Sequence, residues 1–168
     1  TNDAIYGVAS TTEATSTVYL LTLNYNTNLL ELRKSVTPYT SWSVVTLPVG
    51  IGNSPAGITS DASNSIYITD YTGMYKSANG GTSWTTFHGD LNPNESSFSS
   101  PVYEKSGAYF VVANGSKLYK STNNGTTWTL LYDFGSEQVI SANFVSTKIL
   151  VTTYTGVFES SDGGATFN

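Results

Sequence analysis

The sequence predicts an all-β chain built from four repeated units. A short motif recurs at intervals of about 40 residues, which is the length of a four-stranded propeller blade and not of a helical repeat. Between the motifs, short runs rich in Val, Ile, Thr and Tyr are separated by turn residues, as expected of strands. No stretch keeps an apolar period of 3.6 residues over three turns, so helix is a poor alternative. We therefore expect a β-propeller.

The second unit illustrates the four strands of a blade, with strands expected at 56–59, 65–69, 73–77 and 84–87. We treat 1–168 as a single propeller region with repeat units of about 1–47, 48–90, 91–134 and 135–168. The last unit lacks its fourth strand, because the sequence reaches Asn168 one residue after the motif. We expect either a longer propeller or a strand supplied by another chain, since propellers protect their sheet edges.

Each motif begins with a serine and ends with an aromatic residue. The amide or carboxylate of its third residue can accept a backbone N–H within the turn, and its fifth residue, a glycine, can take a positive φ. The closing aromatic ring offers an apolar face to the space between blades. The residues in this pattern are Ser77, Asn79, Gly81 and Trp84; Ser121, Asn123, Gly125 and Trp128; and Ser160, Asp162, Gly164 and Phe167.

A fourth copy beginning at Ser35 departs from the pattern. Thr37 replaces the acid or amide, and Tyr39 replaces the glycine, although Trp42 is retained. We expect a looser, differently shaped turn in this copy.

The pattern Ser-x-Asp/Asn-x-Gly-x-Ser/Thr-Trp/Phe resembles the Asp-box of sialidases, sortilin-like receptors and other BNR-repeat propellers. The resemblance covers the whole chain when the fourth copy is included. It implies that the motif lies on the face opposite the binding or catalytic site. It also implies that the working face is formed by the hairpin tips between the second and third strands and by the connections between blades.

Composition limits the possible partners. Charged residues make up 11% of the chain, and the net charge is −5 with seven Lys and Arg. This leaves no basic patch for nucleic acid. The absence of Cys excludes disulfides and thiolate metal sites, and no apolar segment is long enough for a membrane helix. We expect no cofactor, no metal and no membrane insertion.

Richness in Ser, Thr and Asn favours an extracellular or cell- or virion-surface protein, as do three glycosylation sequons. The sequons begin at Asn94, Asn114 and Asn124.

Alignment on the motif places several polar and aromatic residues at the predicted working face: Asp70, Tyr71, Asn114 and Tyr154. A tyrosine on a polar rim can stack against a sugar ring, although it can equally be a solvated turn residue. The long connection after Phe87 adds His88 and Asp90 as candidates, and His88 is the only histidine of the chain.

Catalysis is the weaker prediction. The resemblance implies three arginines for sialidase activity, and this sequence has only Arg33. A glycosidase needs two facing carboxylates, and Asp70 with Asp90 or Glu95 is the pairing that the alignment allows. The main hypothesis is a propeller that binds glycan or protein through its rim. The alternatives are a structural subunit of a filament, coat or virion, with self-assembly or strand completion, and a fragment of a glycoside hydrolase.

Overall fold

The computed structural model describes residues 3–12, 15–92 and 97–168. These residues form fifteen β-strands and no helix. The sequon residue Asn94 and the candidate acid Glu95 lie outside the described residues. The strands are β1 (Asp3–Ser10), β2 (Thr17–Asn24), β3 (Leu29–Val36), β4 (Ser43–Val45), β5 (Pro55–Ser60), β6 (Ile66–Asp70), β7 (Gly73–Ser77), β8 (Thr85–Thr86), β9 (Tyr103–Lys105), β10 (Ala108–Ala113), β11 (Lys117–Ser121), β12 (Thr129–Asp133), β13 (Val139–Val145), β14 (Lys148–Thr153) and β15 (Val157–Ser160).

The strands form four antiparallel meanders, which we call blades 1 to 4 in chain order. Blades 1, 2 and 3 have four strands each, β1–β4, β5–β8 and β9–β12, and blade 4 has the three strands β13–β15. Asn168 exchanges two backbone hydrogen bonds with Glu159 of β15, of 2.8 and 3.0 Å. It lies where the outer strand of the other blades runs. The predicted all-β propeller, with the fourth strand of the last blade missing, is confirmed.

The core lies between adjacent blades. β6 shows why, because all five of its residues are buried and successive side chains of a strand point to opposite faces. Ile66 and Ile68 pack in the apolar cluster shared with blade 1, whereas Tyr67 packs in the cluster shared with blade 3. A third cluster, which includes Phe110 and Val151, joins blades 3 and 4.

The three well-formed motifs make nearly identical turns between the third and fourth strands, which we call the motif turns (77–84, 121–128 and 160–167). In the first, the buried Ser77 hydroxyl donates to Asn79 Oδ1 (2.9 Å) and accepts from the Gly81 N–H (2.9 Å). Asn79 Oδ1 also accepts from the Ser83 N–H (2.9 Å). The other two turns repeat these bonds within 0.2 Å. One hydroxyl and one side-chain oxygen therefore satisfy two backbone donors of each turn.

Each motif turn packs against the fourth, outermost strand of the preceding blade or against the residue that follows this strand. Gly125 has φ +76°, and a Cβ at this position would lie 2.7 Å from Phe87 Cε2 and 2.8 Å from Phe87 O. Gly81 meets Val45 and Gly164 meets Leu131 in the same way. The glycines are needed both for the positive φ and for this close approach.

The first copy of the motif forms a different turn. The Ser35 hydroxyl donates to the Ser41 carbonyl (2.6 Å), and Tyr39 has φ +62°. The closing Trp42 is 47% exposed, whereas Trp128 is 6% exposed. Among the described residues, Trp42 belongs to none of the three apolar clusters that join neighbouring blades.

Candidate functional site

The hairpin tips between the second and third strands lie at the end of the propeller opposite the motif turns. We call this end the tip face. In blades 2, 3 and 4 one side chain at each tip ties it to the connection that enters the same blade. These side chains occupy one repeat position, at a fixed distance before the motif serine: Asp70, Asn114 and Thr153.

Asp70 is fully buried. One carboxylate oxygen accepts from the Gly52 N–H of the connection between blades 1 and 2. The other accepts from the Thr72 N–H and from the Thr72 hydroxyl, each at 2.9 Å. Asp70 therefore holds the tip of blade 2 and its entering connection together, and its carboxylate does not face solvent.

Asn114 and Thr153 play the same part in blades 3 and 4. Asn114 has φ +54°, and its Oδ1 accepts from the Ser97 N–H (2.9 Å). The Thr153 hydroxyl donates to Glu137 Oε2 (2.9 Å), which also accepts from the Thr155 hydroxyl. These contacts fix the loops around the tip face and leave the next residue of each tip to define its surface.

A tyrosine occupies that exposed position in blades 2 and 4. The tyrosine of blade 2 lies near two further tyrosines of blade 1. Tyr71 is 51% exposed and Tyr154 is 81% exposed. The hydroxyls of Tyr6 and Tyr25 form a hydrogen bond of 3.2 Å, with the two residues 36% and 58% exposed. We call Tyr6, Tyr25 and Tyr71 the tyrosine cluster.

The three rings come from neighbouring segments of blades 1 and 2, and Tyr6 responds to the other two. The pKa of Tyr6 is raised, first by the hydrogen bond with Tyr25, then by burial, and then by the charges of Tyr25 and Tyr71. The inner strands of these two blades, β1 and β5, also lie in contact with each other. The rings come from β1, from the tip of blade 1 and from the tip of blade 2, so they bridge two blades.

The structure does not bring His88 and Asp90 to this cluster. His88 stacks on Phe98, with ring centroids 6.4 Å apart, and its Nδ1 is buried without a hydrogen-bond partner among the described residues. Asp90 Oδ1 accepts from the Trp128 N–H (2.8 Å), at the end of a motif turn. Asp70 and Asp90 therefore serve opposite ends of the propeller and do not form the facing pair that the alignment allows.

The sequon residues within the described part of the chain are both engaged. Asn124 is exposed and has φ +56°, and its Oδ1 accepts from Lys76 Nζ (2.8 Å). Asn114 makes the tip contact given above. In both residues this contact is made by the amide oxygen.

Sequence reasoning missed Tyr6 and Tyr25. Tyr6 lies at a β-bulge in β1, where the pairing register shifts between Ile5 and Gly7, and a bulge is not visible in an alternating pattern. Tyr25 could have been found, because it opens the tip of blade 1 between β2 and β3. The irregular first motif obscured the alignment there.

Among the described residues, no three His, Cys, Asp or Glu side chains are placed to hold a metal ion together. The described residues also contain no helix of the length and apolarity that would cross a membrane.

Comparison with known proteins supports the fold. No protein-family model and no curated protein sequence matches the chain. Among solved structures, the GH74 enzyme of Niastella koreensis is similar with a TM-score of 0.75 and 19% identity over 98% of this chain and 29% of that one. The extracellular domain of a putative hybrid two-component system from B. thetaiotaomicron gives 0.74 and 14%, over 98% and 22%.

YCF48 from Cyanidioschyzon merolae is similar with a TM-score of 0.64 and 14% identity, over 90% of this chain and 52% of that one. The chain thus spans between 22% and 52% of the length of these three proteins. At such identities the likeness shows the β-propeller fold.

Proposed function

We propose that this chain is a secreted or surface-displayed β-propeller of the Asp-box type that binds a glycan through the tip face without catalysing its hydrolysis. The observation that carries the proposal is the tyrosine cluster, with three partly exposed rings from two blades. The motif-turn geometry supports the Asp-box assignment. An extracellular setting is supported by similarity to an extracellular domain and by the low content of charged residues.

The cluster suits a sugar chain for physical reasons. Aromatic rings present flat apolar faces to the C–H groups of a sugar ring, and phenol hydroxyls donate and accept hydrogen bonds at the ring edge. The loops beneath the cluster are held by buried hydrogen bonds such as those of Asp70. A surface that is already ordered loses little conformational entropy on binding.

A hydrolytic function receives less support from the same face. Asp70 and Glu137, the carboxylates described at the tips, both accept hydrogen bonds from neighbouring residues of the loops. A glycosidase needs one carboxylic acid beside the leaving oxygen and a second carboxylate at a set separation. We therefore place the tyrosines, and not these acids, in contact with the ligand.

The test is a glycan array followed by isothermal titration calorimetry with the oligosaccharides that bind. Tyr71→Ala and Tyr25→Ala should each weaken binding by up to about tenfold, since one aromatic contact contributes about 0.5–1.5 kcal/mol. Tyr39→Ala is the matched control, because Tyr39 is 42% exposed but belongs to the first motif copy at the opposite end. Absence of binding across the array, or equal weakening by Tyr39→Ala, contradicts the proposal.

A second candidate is a structural subunit that self-assembles or completes its outer strand with another chain. The observation that favours it is the face of blade 1 that points away from blade 2. On this face Ile5, Val8 and Val44 are 67%, 59% and 68% exposed. Light scattering should then show assemblies that Val8→Glu dissolves, while Tyr71→Ala leaves them intact. A wild-type protein that stays monomeric at all concentrations contradicts this candidate.

A further inference from the structure

A cavity of about 270 Å³ between blades 3 and 4 gathers positive charge in an acidic chain. Three of the seven basic residues line it, namely Lys105, Lys120 and Lys148, and no described carboxylate does. The rings of Phe110 and Phe144 also line it, with centroids 4.5 Å apart. We call it the three-lysine cavity. It opens at the end of the propeller that carries the motif turns, opposite the tyrosine cluster.

The repeat shows what is unusual about Lys120. A lysine precedes the motif serine in blades 1, 2 and 3. In blades 1 and 2 this lysine reaches the motif turn of the next blade: Lys34 Nζ donates to the Gly80 carbonyl (3.1 Å) and Lys76 Nζ to Asn124 Oδ1 (2.8 Å). The equivalent turn residue for Lys120 is Gly163. Lys120 donates no hydrogen bond to it or to any other described residue.

Lys76 is also enclosed by aromatic rings, with its Nζ 5.2 Å from the ring centroid of Tyr67, 5.5 Å from Phe87 and 5.6 Å from Tyr109. Lys120 has one such ring, Phe110, at 5.7 Å. The lysine that joins two blades elsewhere in the repeat is therefore left at the edge of an open cavity in blade 3.

Of the other two lysines, Lys105 adds uncompensated charge at the same place, whereas Lys148 already has a partner. Lys148 pairs with Glu159 at 2.6 Å, and Lys105 is half-buried and forms no ion pair among the described residues. The polar residues Ser106, Ser146 and Thr147 also line the cavity. A partly buried ammonium without a counter-charge is costly, and an oxyanion compensates it through short, charge-assisted hydrogen bonds.

We propose that the three-lysine cavity binds the oxyanion of an acidic sugar unit, with the ammonium groups of Lys105 and Lys120 on the charged group and the partly buried ring of Phe144 against the sugar. The volume suits one such unit better than a chain. The site is independent of the tip face, so it adds a second binding function and does not rest on the first.

The test is a calorimetric and NMR titration at low ionic strength with sodium glucuronate, glucose and sodium sulfate. Glucuronate should bind and glucose should not. The NMR chemical shifts that change on titration should be those of the turns at 105–107 and 146–148 and of Gly163. Lys120→Gln and Lys105→Gln should each weaken glucuronate binding about tenfold, as expected for loss of a charged hydrogen bond. Lys120→Arg should retain most of the affinity.

Lys117→Gln is the matched control. It removes the same charge from the other end of β11, where Lys117 lies 4.0 Å from Asp133, and should leave binding unchanged. Equal weakening by Lys117→Gln would indicate general charge attraction and overturn the site. Sulfate binding as tightly as glucuronate would overturn the sugar assignment. If the wild-type protein is folded, as judged by a cooperative thermal unfolding transition, and binds neither anion, the whole proposal is overturned.

Discussion

The close packing of motif turns on the preceding blade predicts a large effect of a single methyl group at Gly125. The variant Gly125→Ala places a Cβ 2.7 Å from Phe87 Cε2 and 2.8 Å from Phe87 O, at φ +76°. The left-handed backbone costs a non-glycine residue about 1–2 kcal/mol, and overpacking costs about 1–3 kcal/mol more. We therefore expect the free energy of unfolding to fall by about 2–5 kcal/mol.

Gly107 provides the control that separates the two costs. It has φ +80°, and a Cβ there would meet nothing within 4 Å. Gly107→Ala should lose only the backbone part, about 1–2 kcal/mol. Urea unfolding followed by tryptophan fluorescence measures both variants. If the two variants lose the same free energy, the contact with Phe87 contributes nothing and the proposed packing of blades 2 and 3 is wrong.

Two further predictions concern the aromatic residue and the acid of the motif. Trp128→Ala should lose about 3–5 kcal/mol of unfolding free energy, because Trp128 is 6% exposed, whereas Trp42→Ala, at 47% exposed, should lose far less. Chemical denaturation of both variants checks the difference, and equal losses contradict it. The pKa of Asp162 is lowered, first by the Thr166 hydroxyl and then by the Thr166 N–H and Ser160. The stabilisation that the Asp162 carboxylate gives the folded protein is therefore fully present above its unfolded pKa of about 3.9. It is lost as the pH falls through the lower pKa of the folded state. The difference in unfolding temperature between the wild type and Asp162→Asn should shrink below about pH 4, and a difference independent of pH contradicts this.

The fold was predictable because three of the four blades satisfy the same local rule. Two copies of the motif share an asparagine and one has an aspartate at the third position, and all three place glycine where φ is positive. Strand positions also follow from alternation: the predicted strands 65–69 and 73–77 correspond to β6 (Ile66–Asp70) and β7 (Gly73–Ser77). Local chemistry and repeat length together leave few other architectures.

The candidate site was predictable only in part, since it depends on contacts between segments far apart in sequence. Alignment placed Asp70 at a tip, but it could not show that Gly52 and Thr72 bury its carboxylate. Likewise, the pairing of Tyr6 with Tyr25 joins a bulge in the inner strand to a hairpin tip. Neither contact has a signature in spacing, because each is set by how a loop folds back on its own blade.

Divergence among the repeat copies coincides with the two surfaces proposed to bind ligands. The motif serines Ser77, Ser121 and Ser160 are each 1% exposed, because blades 2, 3 and 4 each present the same turn to the preceding blade. Where the copies differ, that constraint is relaxed, and the side chain becomes available for another use. Tyr71 and Tyr154 correspond to Gly115 at the tip position, and both tyrosines are exposed. The same holds for Lys120 at the opposite end. Lys34 and Lys76 at the equivalent position bond to the motif turn of the next blade, and Lys120 does not. Two binding surfaces at opposite ends of one propeller are therefore expected from a repeat that conserves its turns and varies the residues around them.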